Sequence, residues 1–161
     1  MLAKLLRARP SFTDTALEAS MAAAIEAARI RHAISDSEAR WTPGQRLKLL
    51  LVGYLGTRNT GADVRVSEML RQFRTILGDD RLELSVLTSD ARLSAGYFPG
   101  VRQIKQSELF PTFLYRETAK HHGVIGCEGS MFKSKFANAL TTLMVGALGL
   151  ASAQNKLSIG Y

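Results

Sequence analysis

The residues whose types and spacing could do chemistry fall in two short runs. The first is Gly53-Tyr54-Leu55-Gly56-Thr57-Arg58-Asn59-Thr60-Gly61-Ala62-Asp63. Its glycines let backbone N–H groups approach an anion or a sugar, although a plain tight turn uses the same residues. Asn59 can hold such a loop through its own side chain or meet a hydroxyl. Asp63 suits the positive end of a helix dipole, with ligand contact as the alternative.

The second run is Cys127-Glu128-Gly129-Ser130, followed by Lys133 and Lys135. A carboxylate directly after an apolar strand is costly unless it is solvated, paired or used. Glu128 therefore reads either as a sugar-hydroxyl contact or acid/base group, or as a structural partner of Lys133 or Lys135. Ser130 can bind an anion at a helix start or cap that helix. Cys127 reads as a small buried hydrophobe rather than a nucleophile. His121 and His122 are adjacent, so on a helix their side chains diverge, and a helix C-terminus favours cations; both read as structural. No metal-ligating spacing surrounds these residues, and no cofactor is expected.

These runs need elements to position them. Leu47 to Val52 is almost continuously apolar, as a buried strand is, and Val66, Met69, Leu70, Phe73, Ile76 and Leu77 recur at helical spacing after the first loop. Leu82 to Thr88 alternates apolar and polar residues, which predicts a half-covered strand. Val101 to Ile104 is a short apolar piece, and Leu109 to Tyr115 predicts a helix with Pro111 near its start. Val124 to Cys127 predicts a short buried strand. From Ser134 to Ala151 a helix apolar over most of its circumference is expected, and Leu157 to Tyr161 then forms a last strand.

Strands alternating with helices predict an α/β fold: a Rossmann-like parallel sheet with helices on both faces. Ligands in such sheets sit beyond the carboxyl ends of the strands, where both runs fall. Residues 1–42, with Leu17, Met21, Ile25 and Ala28 at helical spacing, are expected to be a helical extension. Trp41-Thr42-Pro43-Gly44 breaks the chain, and the Rossmann-like domain is assigned to 43–161, truncated before a second domain.

The 161 residues are 46% hydrophobic and 7% aromatic, enough for a core. One cysteine forms no internal disulfide, and residues 1–10 hold no apolar run long enough for a signal peptide, so a cytoplasmic location is expected. Leu140 to Leu150 falls short of a membrane span. The net charge of +7 and pI near 9.9 suit phosphates, anionic sugars or a membrane surface. Arg29, Arg31, Arg40 and Arg46 are interleaved with Glu26, Asp36 and Glu38, which reads as a solvated surface, with a nucleic-acid patch as the alternative.

Gly53, Gly56, Asn59 and Gly61, followed later by Gly129-Ser130, the apolar helix to Ala151 and Lys156-Leu157-Ser158-Ile159-Gly160, resemble the two glycine blocks of the polysaccharide pyruvyl transferase family. The resemblance spans about Leu47 to Tyr161. Ala62 separates Gly61 from Asp63 where the family places its acid directly after glycine, and Cys127-Glu128 stand in for two glycines of the second block, which suggests a subgroup with its own acceptor. The resemblance implies the N-terminal half of a GT-B-like architecture, with its site in a cleft between two Rossmann-like halves. It further implies phosphoenolpyruvate as donor, a sugar of a cell-surface glycan as acceptor and a ketal as product, with peripheral association through a membrane-linked glycan. Carried onto this sequence, Glu128 is the candidate catalytic residue, and Gly56, Asn59, Gly61, Asp63, Gly129 and Ser130 are candidate substrate contacts. A half of such an enzyme is expected to be inactive alone. The alternative is a non-catalytic Rossmann-like module for a nucleotide or phosphosugar.

Overall fold

Leu49, Leu50, Leu51 and Val52 follow one another without a polar residue, and such a strand must be covered on both faces. The computed structural model describes residues 12–35, 40–107, 110–127 and 138–161. It places this segment, β1 (Leu47–Val52), in the middle of a five-stranded all-parallel sheet. The partners are β2 (Leu82–Thr88), β3 (Arg102–Lys105), β4 (Gly123–Gly126) and β5 (Leu157–Gly160), in the order β3-β2-β1-β4-β5. The chain thus builds outward from β1 through β2 to β3, then returns to β1's other side. That reversal of direction is the switch point at which α/β sheets open a crevice.

The helices are α1 (Phe12–Ile34), α2 (Thr60–Leu77), α3 (Phe110–Lys120) and α4 (Asn138–Ala153). The pleat of β1 sorts its side chains between two cores. Leu50 and Val52 join Leu87, Ile104 and Val124 beneath Leu114 of α3 and Leu143, Met144, Ala147 and Leu150 of α4. Leu49 and Leu51 join Leu84, Val86 and Ile125 on the other face, under Val66, Met69 and Leu70 of α2 and Phe98. Among the described residues no helix is long and apolar enough to cross a membrane; α4 is a core helix.

Residues of the expected extension pack onto this unit. A Cβ on Gly146 of α4 would lie 2.6 Å from Met21 Sδ, and one on Gly149 would lie 2.8 Å from Ile25 Cδ1, so glycines let α1 approach α4 closely. Met21 and Ala28 are buried in the resulting seam.

The half-covered strand expected over Leu82 to Thr88 is instead buried at every position except Glu83. Ser85 is fully buried because His121 meets it from 36 residues away, Nε2 to Oγ 3.1 Å, while His121 Nδ1 lies 2.7 Å from the Glu117 carbonyl. A polar residue within an alternating pattern faces the core here because a histidine satisfies it.

His122 is also structural, as expected: its Nδ1 accepts the Lys48 backbone N–H at 3.0 Å. Burial holds the pKa of both histidines below the ordinary value. For His121 the Glu117 carbonyl and carboxylate oppose that shift, while Arg102 and Lys156 add to it; for His122 the cations Lys48 and Lys156 and the neighbouring His121 add to it against Glu83. A base held neutral in the fold stabilises it above its unfolded pKa, about 6.5. That stability is lost as pH falls from there through the lowered folded values, because the unfolded chain binds the proton first. The melting temperature is therefore expected to drop between pH 7 and pH 5 by scanning calorimetry, well above the range in which Glu68 and Asp90 (both about 2) titrate. A flat profile over that interval would contradict neutral, bonded histidines.

Candidate functional site at the carboxyl edge of the sheet

Register decides which loops meet. Val52 at the end of β1 lies beside Gly126 at the end of β4, and the Cys127 N–H donates to the Val52 carbonyl at 2.9 Å. The chain therefore leaves β1 and β4 side by side on one edge, as the sequence requires if the two glycine runs serve one site. Glu128, Gly129, Ser130, Lys133 and Lys135 lie outside the described residues. Cys127 is fully buried, with its Sγ donating to the Ile125 carbonyl at 3.4 Å.

The loop after β1 is fastened to the loop after β2. The Ser89 N–H donates to the Leu55 carbonyl at 3.0 Å, and Leu55 is buried. Gly56 has φ +69°, and a Cβ there would lie 2.0 Å from Thr88 Oγ1 and 2.6 Å from the Asp90 carbonyl oxygen. The space a side chain would fill at Gly56 is taken by β2's exit, so the glycine serves loop-to-loop packing. Behind it, Thr88 Oγ1 and Ser94 Oγ lie 3.3 Å apart, and Ser94 Oγ donates to Gln103 Oε1 at 2.9 Å. Together these bonds brace the edge from β1 to β3.

Asp63 fastens the same loop from the other side. It lies in the first turn of α2, as predicted, but its side chain is turned inward at 1% exposure and Oδ1 accepts the Gly56 N–H at 3.5 Å. A carboxylate so placed positions the loop and offers a ligand no surface. Asn59 is the N-cap of α2: its side chain accepts the Ala62 N–H, and its carbonyl accepts from Ala62 and Asp63 at 3.0 and 3.1 Å. Asn59, Thr60 and Gly61 are nonetheless exposed, and only the Asn59 side-chain oxygen, at 3.6 Å, approaches a Cβ position on Gly61. The open start of α2 is thus a part of the first run that a ligand can reach.

Reading the sequence alone passes over Arg58. It has φ +62°, one of two non-glycine residues with positive φ among those described, and it is exposed beside the α2 N-terminus. An arginine held in a left-handed backbone carries strain of about 1–3 kcal/mol, the kind of outlier that points to a function. The one signal for it in the sequence is the absence of glycine where Thr57-Arg58-Asn59 must turn. Across the edge, Arg92 is bound to Asp90, Nη2 to Oδ2 2.8 Å, and this bond with the Arg92 backbone N–H lowers the Asp90 pKa to about 2.

Electrostatically this edge suits an anion: Arg58 is exposed beside the start of α2, while Asp63 is spent on the loop and Asp90 on Arg92. Among the described residues there is no group of three or more His, Cys, Asp or Glu that could hold a metal ion. A hollow of about 710 Å³ opens at the opposite, amino-terminal edge, lined by Trp41, Gly44, Arg46, Leu77, Asp80 and Leu82. It lies away from the strand ends at which this fold class presents helix amides. Comparison of the chain with protein-family models, curated proteins and solved structures gave no match.

Proposed function

We propose that this chain is the N-terminal, acceptor-side half of a polysaccharide pyruvyl transferase-like enzyme with a GT-B-like architecture, and that residues 1–161 alone do not turn over. The observation that supports it most is the adjacency of β1 and β4 in register, from which both glycine runs leave at one edge. The reaction adds two hydroxyls of one sugar to C2 of phosphoenolpyruvate. The methylene carbon takes a proton and becomes methyl, two C–O bonds form at C2, the bond to the phosphate oxygen breaks, and inorganic phosphate leaves. It needs a proton donor for the methylene carbon, a base for the attacking hydroxyl, and cations or amides for phosphate and carboxylate. Here Glu128 takes the acid/base part and Gly129 and Ser130 hold the acceptor. Asn59, Gly61 and the α2 amides, with Arg58, supply the anion-facing side. Phosphoenolpyruvate and a glycan acceptor are the partners; nucleic acid is not.

Phosphate release is expected from a version extended past Tyr161, given phosphoenolpyruvate and sugar acceptors, and not from residues 1–161. Release from neither removes the catalytic reading. Because both described carboxylates at this edge are engaged, a second reading has support: a module that binds a phosphosugar or nucleotide without chemistry. Calorimetry separates the two, since only the module binds these ligands without any turnover in the extended version. In either case Arg58→Ala is expected to weaken binding of the phosphorylated ligand about tenfold, roughly 1.4 kcal/mol. An unchanged affinity would remove Arg58 from the site.

A further inference from the structure

The end of the molecule opposite the candidate site combines exposed apolar side chains with unmatched positive charge. Met21 meets Gly146 and Ile25 meets Gly149, so α1 runs parallel to α4 and ends, like α2, at the amino-terminal edge of the sheet. Ile34 closes α1 at 81% exposure and Ile76 stands in the last turn of α2 at 75%; among the described residues no other large aliphatic side chain is as open. Trp41, 46% exposed, shares the 710 Å³ hollow with Ile76, Arg46 and Arg81. Its Nε1 donates to the Gln45 carbonyl at 2.9 Å, which fixes the indole and satisfies its one polar atom without a ligand. The hollow lies at the start of β1 and β2, on the side of β1 away from β5.

The charges at this end do not cancel. Asp79 is bound to Arg74 at 3.0 Å, Glu83 to Lys48 at 3.6 Å and Glu117 to Lys120 at 2.6 Å, which leaves Asp80 as the open carboxylate. Arg31, Arg46 and Arg81 pair with no carboxylate among the described residues; Arg46 donates to the Leu82 carbonyl, which keeps its charge intact. Arg31 suits the carboxyl end of the α1 dipole, but Arg46 and Arg81 stand directly before β1 and β2, where no α-helix asks for a cation. An exposed apolar patch of this kind marks an interaction surface.

We propose that the amino-terminal edge of the sheet is a docking surface for an anionic lipid leaflet. Ile34, Trp41 and Ile76 enter the boundary between headgroups and acyl chains, and Arg31, Arg46 and Arg81 meet the lipid phosphates. Arginine stems lie along apolar surface while their heads stay at headgroup level, and tryptophan favours the same boundary. A protein partner would need a carboxylate placed opposite each arginine, whereas a leaflet supplies diffuse negative charge that needs no register. The six residues of β1 span about 20 Å, so the loops of the carboxyl edge then face water on the far side. The docking surface is independent of the catalytic reading.

Trp41 is the only tryptophan of the chain, so its fluorescence reports this surface directly. On titrating residues 1–161 with vesicles of equal parts phosphatidylglycerol and phosphatidylcholine, its emission is expected to move to shorter wavelength and to be quenched by brominated acyl chains. Vesicles of phosphatidylcholine alone are expected to bind about a hundredfold more weakly, because three cations lose their partners. Arg81→Gln is expected to lower the affinity for the anionic vesicles about fivefold, and Ile34→Ser combined with Ile76→Ser about fivefold as well. All three residues are exposed, so both variants are expected to keep the far-UV circular dichroism spectrum of the parent chain. Three results would overturn the proposal. A chain that stays in solution with anionic vesicles leaves this surface to a protein partner, binding with Trp41 still in water puts attachment elsewhere, and equal binding to neutral vesicles removes the role of the arginines.

Discussion

Gly56→Ala is expected to lower the unfolding free energy by about 3 kcal/mol, read as a shift of the urea midpoint at unchanged slope. Two costs combine. The backbone at Gly56 is left-handed, which any residue with a Cβ adopts at about 1–2 kcal/mol. The added carbon would also overlap Thr88 Oγ1 and the Asp90 carbonyl, and the second of these belongs to backbone braced by Ser89, Ser94 and Arg92. Forced overlaps of this kind cost about 1–3 kcal/mol. Because Asp63 holds the Gly56 amide, the variant is expected to disturb the start of α2 as well, and ligand affinity at the edge falls with stability. A loss under about 1 kcal/mol would mean that the two loops are not packed as described.

Lys156→Met is expected to cost about 2–3 kcal/mol, by the same measurement. The Lys156 ammonium donates to the Thr118, Ala119 and His121 carbonyls, each at 2.8 Å. Thr118 and Ala119 belong to the last turn of α3, whose carbonyls lack partners four residues on, although Thr118 also accepts the His121 N–H at 3.1 Å, and His121 follows the helix directly. One cation thereby caps α3 from the turn into β5 and joins both to the sheet. Hydrogen bonds to a charged group contribute about 1.5–3 kcal/mol, and water reaching the half-buried site replaces part of what is lost. Met keeps the aliphatic stem, so the loss reports the ammonium alone. A change within about 0.5 kcal/mol would show that water serves these carbonyls equally well.

The elements that sequence reasoning placed well are those whose local pattern has one explanation. Leu49 to Val52, bounded by the glycine loop, reads as a strand covered twice, and Val66, Met69, Leu70 and Phe73 as one face of a helix, and both form. The misplaced features depend on distant partners. Ser85 looks like a solvent-facing position until His121 arrives, and the helical stripe of Met21 and Ile25 does not say that Gly146 and Gly149 make room for it. At the edge itself, glycine spacing identifies a loop but not the direction it faces. Gly56 faces β2, Asp63 faces Gly56, and Tyr54 and Arg58 to Gly61 are exposed, a division that depends on how two loops lie against each other.

The central claim is that a phosphorylated ligand binds at the carboxyl edge of β1 and β4. Titrating phosphoenolpyruvate into the ¹⁵N-labelled chain, with amide positions followed by NMR, tests it most directly. Shifts are expected at Arg58 to Gly61, Ser89 and the residues after Cys127. No shift at any of these, or shifts confined to the Trp41, Arg46 and Leu82 end of the sheet, would contradict the account.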